Sequence, residues 1–258
     1  MKVVVLGASG EIGADVVKRL RAQGVEVGEA HRSTGVDAYA GAGLDVAFTG
    51  ADVVVDCVNV TTTSARKAVD FFGTVARNVS TAAVAAGVRR VVCLSIINAA
   101  DPAVNAKFGY YQGKAEQERV YTEMLSGDRL TFVRSAQWYE LARQMMSTMR
   151  LGPVAAVPHM RCRPLSVADA ASALADAATA ESSRDVEVAG PEVLDLADVG
   201  KAIARARVRR DHQLHPVGAA AVHLHGHHAG EIQDCRGIAG RDRLCHGRAA
   251  RRHGAGDH

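Results

Sequence analysis

Tyr110 and Lys114, four residues apart in the run Tyr110-Tyr111-Gln112-Gly113-Lys114, are the pair in this sequence best suited to chemistry. On a helix, positions i and i+4 share a face, so the ammonium would stand beside the phenol and favour its ionised form. A phenol with its ordinary pKa of about 10 exchanges protons poorly at neutral pH, and a neighbouring cation suits it to general acid–base work. Fifteen residues before Tyr110, the apolar run Val91-Val92-Cys93-Leu94 ends in Ser95. It reads as a strand with a hydroxyl at its carboxyl end, placed to hydrogen-bond a substrate oxygen. The structural alternative is that the tyrosines anchor a helix, Lys114 is a surface cation and Ser95 caps a turn.

A second constellation lies at the amino end. Gly7-Ala8-Ser9-Gly10-Glu11-Ile12-Gly13 follows a strand-like segment and opens a helical one, in a GxxGxxG spacing. Gly7 permits the tight turn, Gly10 lets backbone approach a pyrophosphate, and Gly13 allows the helix to pack close to the sheet. Ser9, Glu11 and Ile12 stand at a helix start whose free N–H groups and positive dipole end favour a phosphate. A dinucleotide is the expected ligand, and Lys114 could then also reach its nicotinamide ribose. The end of the second strand sorts the two nicotinamide cofactors, because an acidic side chain there holds a ribose 2′-hydroxyl. This chain has His31-Arg32-Ser33 instead, with Glu29 too early. Arg32 can fork onto a 2′-phosphate and Ser33 can donate to it, so NADP(H) is expected over NAD(H).

The elements that must position these groups alternate along the chain. Strands are expected near 2–6, 25–30, 36–39, 52–58, 89–95 and 129–134. Helices are expected near 11–23, 41–49, 64–86 and 110–125. Such alternation predicts an α/β fold, a Rossmann-type doubly wound parallel sheet with right-handed crossovers. Pro153, Pro158 and Pro164 then punctuate a loop-rich stretch before a helix near 166–180, a strand near 185–189 and a helix near 195–206. The reading is a dinucleotide-binding domain over 1–150, a small substrate-binding lobe over 151–206, and an atypical tail over 207–258.

Composition narrows the function classes. The chain has 258 residues and is 48% hydrophobic, enough for a full-sized core. Nine arginines in 207–258 against five acidic residues leave 1–206 with a charge of −1, so the body has no basic stripe for nucleic acid. Arg, His, Gly and Ala supply 34 of the last 52 residues. A flexible cationic tail or GC-rich DNA translated out of frame would each give this bias. The second reading is favoured, and it predicts a better amphipathic continuation after residue 206 in another frame. His223, His225, His227, His228, Cys235, Cys245 and His246 lack paired metal-ligand spacing, so no metal is expected. Five cysteines without regular spacing read as reduced thiols. No apolar run approaches a membrane span, and a cytoplasmic protein acting on a small molecule is expected, its oligomeric state unread.

Residues 1 to about 206 resemble the atypical short-chain dehydrogenase/reductases, in the NmrA-like and triphenylmethane-reductase-like branch. The likeness is carried by GASGEIG at 7–13, GADVVVDCVN at 50–59, LSI at 94–96, GYYQGKAEQE at 109–118, FVRSAQWYE at 132–140 and VEVAGPEVLDLAD at 186–198. The resemblance implies a strand order of 3-2-1-4-5-6 with a late seventh strand at 185–189. It makes Tyr110 the acid, Lys114 a cofactor holder and Ser95 the group that orients substrate. Gly7, Gly10, Gly13 and Arg32 would hold NADP. Asn59 would lie beside the adenosine ribose or the nicotinamide, and Gln137, Trp138 and Tyr139 would line the substrate pocket. The implied activity is NADPH-dependent reduction of a small carbonyl, quinone-like or conjugated organic molecule. The alternatives are a non-catalytic redox sensor of the NmrA-like kind, and an epimerase or dehydratase that uses its cofactor transiently.

Overall fold

A computed structural model of the chain describes residues 1–106, 108–148, 150–151, 154–155, 157 and 159–214. Strand and helix alternate through its first part as β1 (Lys2–Leu6), α1 (Glu11–Ala22), β2 (Glu26–Ala30), α2 (Leu44–Phe48), β3 (Val53–Asp56), α3 (Ala65–Ala85) and β4 (Arg90–Ile96). There follow α4 (Pro102–Asn105), α5 (Gly109–Met124), β5 (Leu130–Ser135) and α6 (Tyr139–Thr148). The remaining elements are β6 (Arg150–Leu151), β7 (Val154–Ala155), β8 (Arg161–Cys162), α7 (Val167–Thr179), β9 (Val186–Val188), β10 (Leu194–Asp195) and α8 (Leu196–Leu214).

Strands covered on both faces need side chains that are apolar throughout. Val3, Val4 and Val5 of β1 and Val53, Val54 and Val55 of β3 meet this requirement, and all are buried. Their sheet has six strands in the order β2-β1-β3-β4-β5-β9, every pairing parallel. On one face α1 and α7 pack over Val3, Val5, Val55 and Val92. On the other, α2, α3 and α5 pack over Val4, Leu6, Val54 and Val91. The stripe of α3 reads Ala68, Phe72, Val75, Ala76, Val79 and Ala83, a helical spacing whose buried face meets α5. Ser64 starts that helix by accepting the Lys67 N–H.

The doubly wound parallel sheet expected from the sequence is present, with β9 beside β5 as the late strand. The segment 36–39 is corrected: it forms no strand of the sheet, and Asp37 makes only an isolated antiparallel bridge to Ala42. Its bridge closes a tight loop over 38–41 that turns at Gly41, with φ +75°, and is followed by Gly43, with φ +71°, whose added Cβ would sit 2.5 Å from the Gly35 carbonyl oxygen. A loop folded back on itself cannot run alongside β2. Helix α2 begins only after that turn, shorter than the expected 41–49.

Helix α7 and strand β9 lie with the main sheet, so the lobe proper is built from α6, β6, β7, β8, β10 and α8. Its two sheets are antiparallel pairs, β10 with β8 and β6 with β7. A separate cluster of Ala142, Met146, Val157, Cys162, Leu196, Val199 and Ala204 forms its core. Pro153, Pro158 and the His- and Cys-containing tract after residue 214 lie outside the described residues. Among the described residues, no helix is long and apolar enough to cross a membrane.

Candidate active site

The glycine turn joins β1 to α1 at the carboxyl edge of the sheet. Gly7 has φ +75°, and a Cβ there would lie 2.9 Å from the Cys57 carbonyl oxygen. A Cβ on Gly13 would lie 2.2 Å from the Gly7 carbonyl oxygen, so the first turn of α1 is pressed onto the loop with no room for a side chain. The Gly10 N–H donates to the Gly7 carbonyl at 2.9 Å, and Gly10 caps α1 without a side-chain hydrogen bond. The turn therefore presents bare backbone and an uncapped helix start. Ser9, Gly10 and Glu11 are exposed there, whereas Ile12 and Gly13 are buried.

At the end of β2, Leu6 pairs with Ala30, and His31 leads into a single helical turn over Arg32–Thr34. Arg32 is exposed, and its guanidinium is engaged by no described residue. The Ser33 hydroxyl is bonded to His31 Nδ1 at 2.7 Å. Glu29 points back to α1, where Arg21 holds it at 2.7 Å.

Tyr110 lies at the start of α5, against the loop that follows β3. Its hydroxyl donates to Asn59 Oδ1 at 3.0 Å, and the Val60 N–H donates to that same atom at 2.9 Å. Because a backbone N–H can only donate, the shared acceptor is the carboxamide oxygen and the phenol is the donor. The ring of Tyr110 meets Phe72 edge-on at 5.5 Å. Lys114, one turn further along, is only 3% exposed; its Nζ sits 4.3 Å from the centre of the Phe72 ring. Two of its protons go to the Leu94 carbonyl and Gln117 Oε1, both at 2.9 Å. Among the described residues its third proton has no oxygen acceptor.

Ser95, expected to orient substrate, is bonded elsewhere than Tyr110 and Lys114. Its side chain is fully buried and donates at 2.5 Å to Glu118 Oε1. Glu118 is gripped in turn by Arg134, which also reaches Asp185 at 2.9 Å. Burial works against the Arg134 charge, yet these two carboxylates keep its pKa raised. The reason is strand alternation: Ser95 faces the same way as Cys93, under α5, instead of beyond the strand end.

Gln137 and Tyr139 follow β5. The Gln137 side chain donates to the Tyr111 hydroxyl at 2.7 Å, linking β5 to the helix that carries Tyr110. Tyr139 is exposed. Trp138, by contrast, packs against the core beneath α7, and its indole N–H donates to Ser135 Oγ at 3.1 Å. It is partly buried and takes part in core packing.

Three residues missed in the sequence complete the setting. Asp56, fully enclosed at the end of β3, accepts from Tyr121 OH at 2.7 Å, Gln117 Nε2 at 2.9 Å and Val58 N–H at 2.9 Å. Burial pushes its carboxyl pKa up, while Lys114 and these donors pull it back. Gln117 and Tyr121 are i+3 and i+7 from Lys114, so the helical spacing held the signal. An acid closing the run Val53-Val54-Val55 was the other clue. Cys57, Cys93 and Cys162 are buried, and burial raises the Cys57 and Cys93 thiols, which keeps them protonated and inert.

Neither a protein-family model nor a curated protein matches the sequence. Solved structures do resemble the fold. A dTDP-4-dehydrorhamnose reductase from Clostridium acetobutylicum aligns at 17% identity over 88% of this chain and 83% of its own, with a TM-score of 0.68. The UDP-glucose 4-epimerase of Thermus thermophilus, solved with NAD, aligns at 19% identity over 90% and 88%, with a TM-score of 0.65. A short-chain dehydrogenase/reductase superfamily protein from Agrobacterium tumefaciens with bound NAD aligns at 17% identity over 80% and 82%, with a TM-score of 0.59. The chain thus has the Rossmann-type fold that these NAD-binding and sugar-nucleotide enzymes share.

Proposed function

We propose that this protein is an NADPH-dependent oxidoreductase of the NmrA-like, triphenylmethane-reductase-like kind, reducing a small carbonyl, quinone-like or conjugated organic molecule in the cytoplasm. The glycine turn carries the reading: it has no room for a Cβ at Gly7 or Gly13 and ends at a helix start without a side-chain cap, an arrangement that favours an anion such as a diphosphate. Gly7, Ser9, Gly10, Glu11, Ile12 and Gly13 would hold the diphosphate. The unengaged Arg32 guanidinium supports a 2′-phosphate, with Glu29 drawn away by Arg21. When bound, the dinucleotide would supply a hydride.

The chain's own residues supply the rest. Tyr110 already points its proton at an acceptor; a substrate oxygen replacing Asn59 in that position would receive it. The free proton of Lys114 would hold a ribose hydroxyl. Gln137 and Tyr139 would face the substrate from the lobe side.

Titrating the protein with NADPH and with NADH, then measuring turnover over a panel of such substrates, tests this. NADPH should bind at least about tenfold more tightly. Tyr110→Phe should bind it normally yet lose about a hundredfold or more in turnover. Absence of dinucleotide binding, or a Tyr110→Phe variant that consumes NADPH at the wild-type rate, would overturn the reading. Product formation without net NADPH consumption would point to transient cofactor use instead.

A further inference from the structure

The buried ammonium of Lys114 is held by a carboxamide whose orientation is itself set by a carboxylate. Gln117 presents Oε1 to Lys114 and Nε2 to Asp56, each at 2.9 Å. A side-chain amide can be turned end for end with almost no change of shape, so its direction depends on its neighbours. Here the neighbours leave no choice. Asp56 Oδ2 accepts from both Gln117 and Tyr121, Oδ1 accepts from the Val58 N–H, and an ionised carboxylate donates to nothing. All four side chains are enclosed, with Asp56 at 1%, Gln117 and Tyr121 at 0% and Lys114 at 3% exposure. No water competes for these bonds, and a polarity error within such a network is costly.

We infer that Asp56 and Gln117 are positioning residues for Lys114: the carboxylate fixes the direction of the carboxamide, and the carboxamide oxygen fixes the ammonium, whose remaining proton has no oxygen acceptor among the described residues. This rests on the proposed role of Lys114 in holding a dinucleotide. Neither residue touches the reacting atoms. The relay makes a prediction that bulk packing does not, because it has a polarity.

Asp56→Asn keeps size and shape. The Val58 N–H still requires an oxygen, so the new NH2 group must occupy the place of Oδ2 and donate to Gln117 and Tyr121. Gln117 must then turn, bringing Nε2 against the Lys114 ammonium, donor to donor. In the double variant Asp56→Asn/Gln117→Glu, the carboxylate at 117 accepts from both sides and the polarity is consistent again.

The experiment measures the Kd for NADPH by fluorescence and the steady-state constants for wild type, Asp56→Asn, the double variant and Val120→Ala, a core truncation on the same helix. Asp56→Asn should raise the NADPH Kd and KM about tenfold, with a smaller change in kcat. The double variant should return to within about threefold of wild type, and Val120→Ala should lose stability without losing affinity. Wild-type affinity in Asp56→Asn, or a double variant no better than the single, would overturn the inference. Should Asp56→Asn not fold, Gln117→Met removes the acceptor at nearly constant volume, and unchanged NADPH affinity there overturns it equally. Wild-type protein that binds no dinucleotide would instead overturn the proposed function, and this inference with it.

Discussion

The sheet body and the small lobe bury their apolar surface by different means. In the body, Val3, Val5, Val53, Val55 and Val92 come from adjacent parallel strands and lie in one cluster under α1 and α7. Each strand there is flanked by partners that fix its register along four or more residues on at least one side. In the lobe, the strands are two residues long, and the core is assembled from α6, Val157, β8 and α8. The body therefore holds Gly13, Asp56 and Lys114 among paired strands and the helices packed on them. The lobe has a core of its own, separate from that of the body.

Three perturbations should break or sharpen this contrast. The largest effect is expected from Gly13→Ala. Its Cβ would fall 2.2 Å from the Gly7 carbonyl oxygen, and because that atom is backbone, α1 and the loop must separate. NADPH affinity should drop by about a hundredfold, about 2.7 kcal/mol, with a lower melting temperature; a variant that binds normally would show that the cradle is not where the cofactor sits.

Leu196→Ala comes next. Leu196 is fully buried in the lobe core, and its truncation should cost about 2–5 kcal/mol there. Hydrogen exchange should quicken in α6, β8 and α8 while β1, β3 and β4 keep their protection. Uniform loss across both regions would mean that the two cores unfold as one.

The smallest effect belongs to the join between β8 and β10. Asp195 accepts from His159 at 2.9 Å and from the backbone of Ala197 and Met160. Burial opposes its charge, but these donors hold its carboxyl pKa below the usual range. A depressed carboxylate contributes stability that is complete above its unfolded value of about 3.9 and is lost as pH falls through the folded value. Because His159 is half exposed, the contribution is under about 1 kcal/mol. Exchange at the amides of Cys162 and Leu194 should quicken modestly below pH 4, and Asp195→Asn should remove that pH dependence.

The legibility of the sequence follows the same division. Glycine spacing, valine runs and the stripe of α3 are local signals, since each records which face of its own element must be apolar. They place the cradle, Tyr110 and Lys114 correctly at one edge of the sheet. Strand 36–39 failed because Val36 and Ala38 are buried by a folded-back loop, and burial alone imitates a strand. The surroundings of Ser95 and Trp138 were hidden from the sequence for a related reason. Their residue types suit a site, but which way a side chain faces at the end of a strand depends on what packs above it.

The order of elements, the glycine turn and the i, i+4 spacing of Tyr110 and Lys114 were determined by the chain alone, because backbone geometry links neighbours in sequence. Which partners those two side chains have was decided only by the tertiary structure. Asn59 is brought to Tyr110 across 51 positions of sequence by the parallel crossovers, and Asp56 to Gln117, the residue that holds Lys114, across 61. Burial then leaves each polar atom there only the partners that the fold supplies.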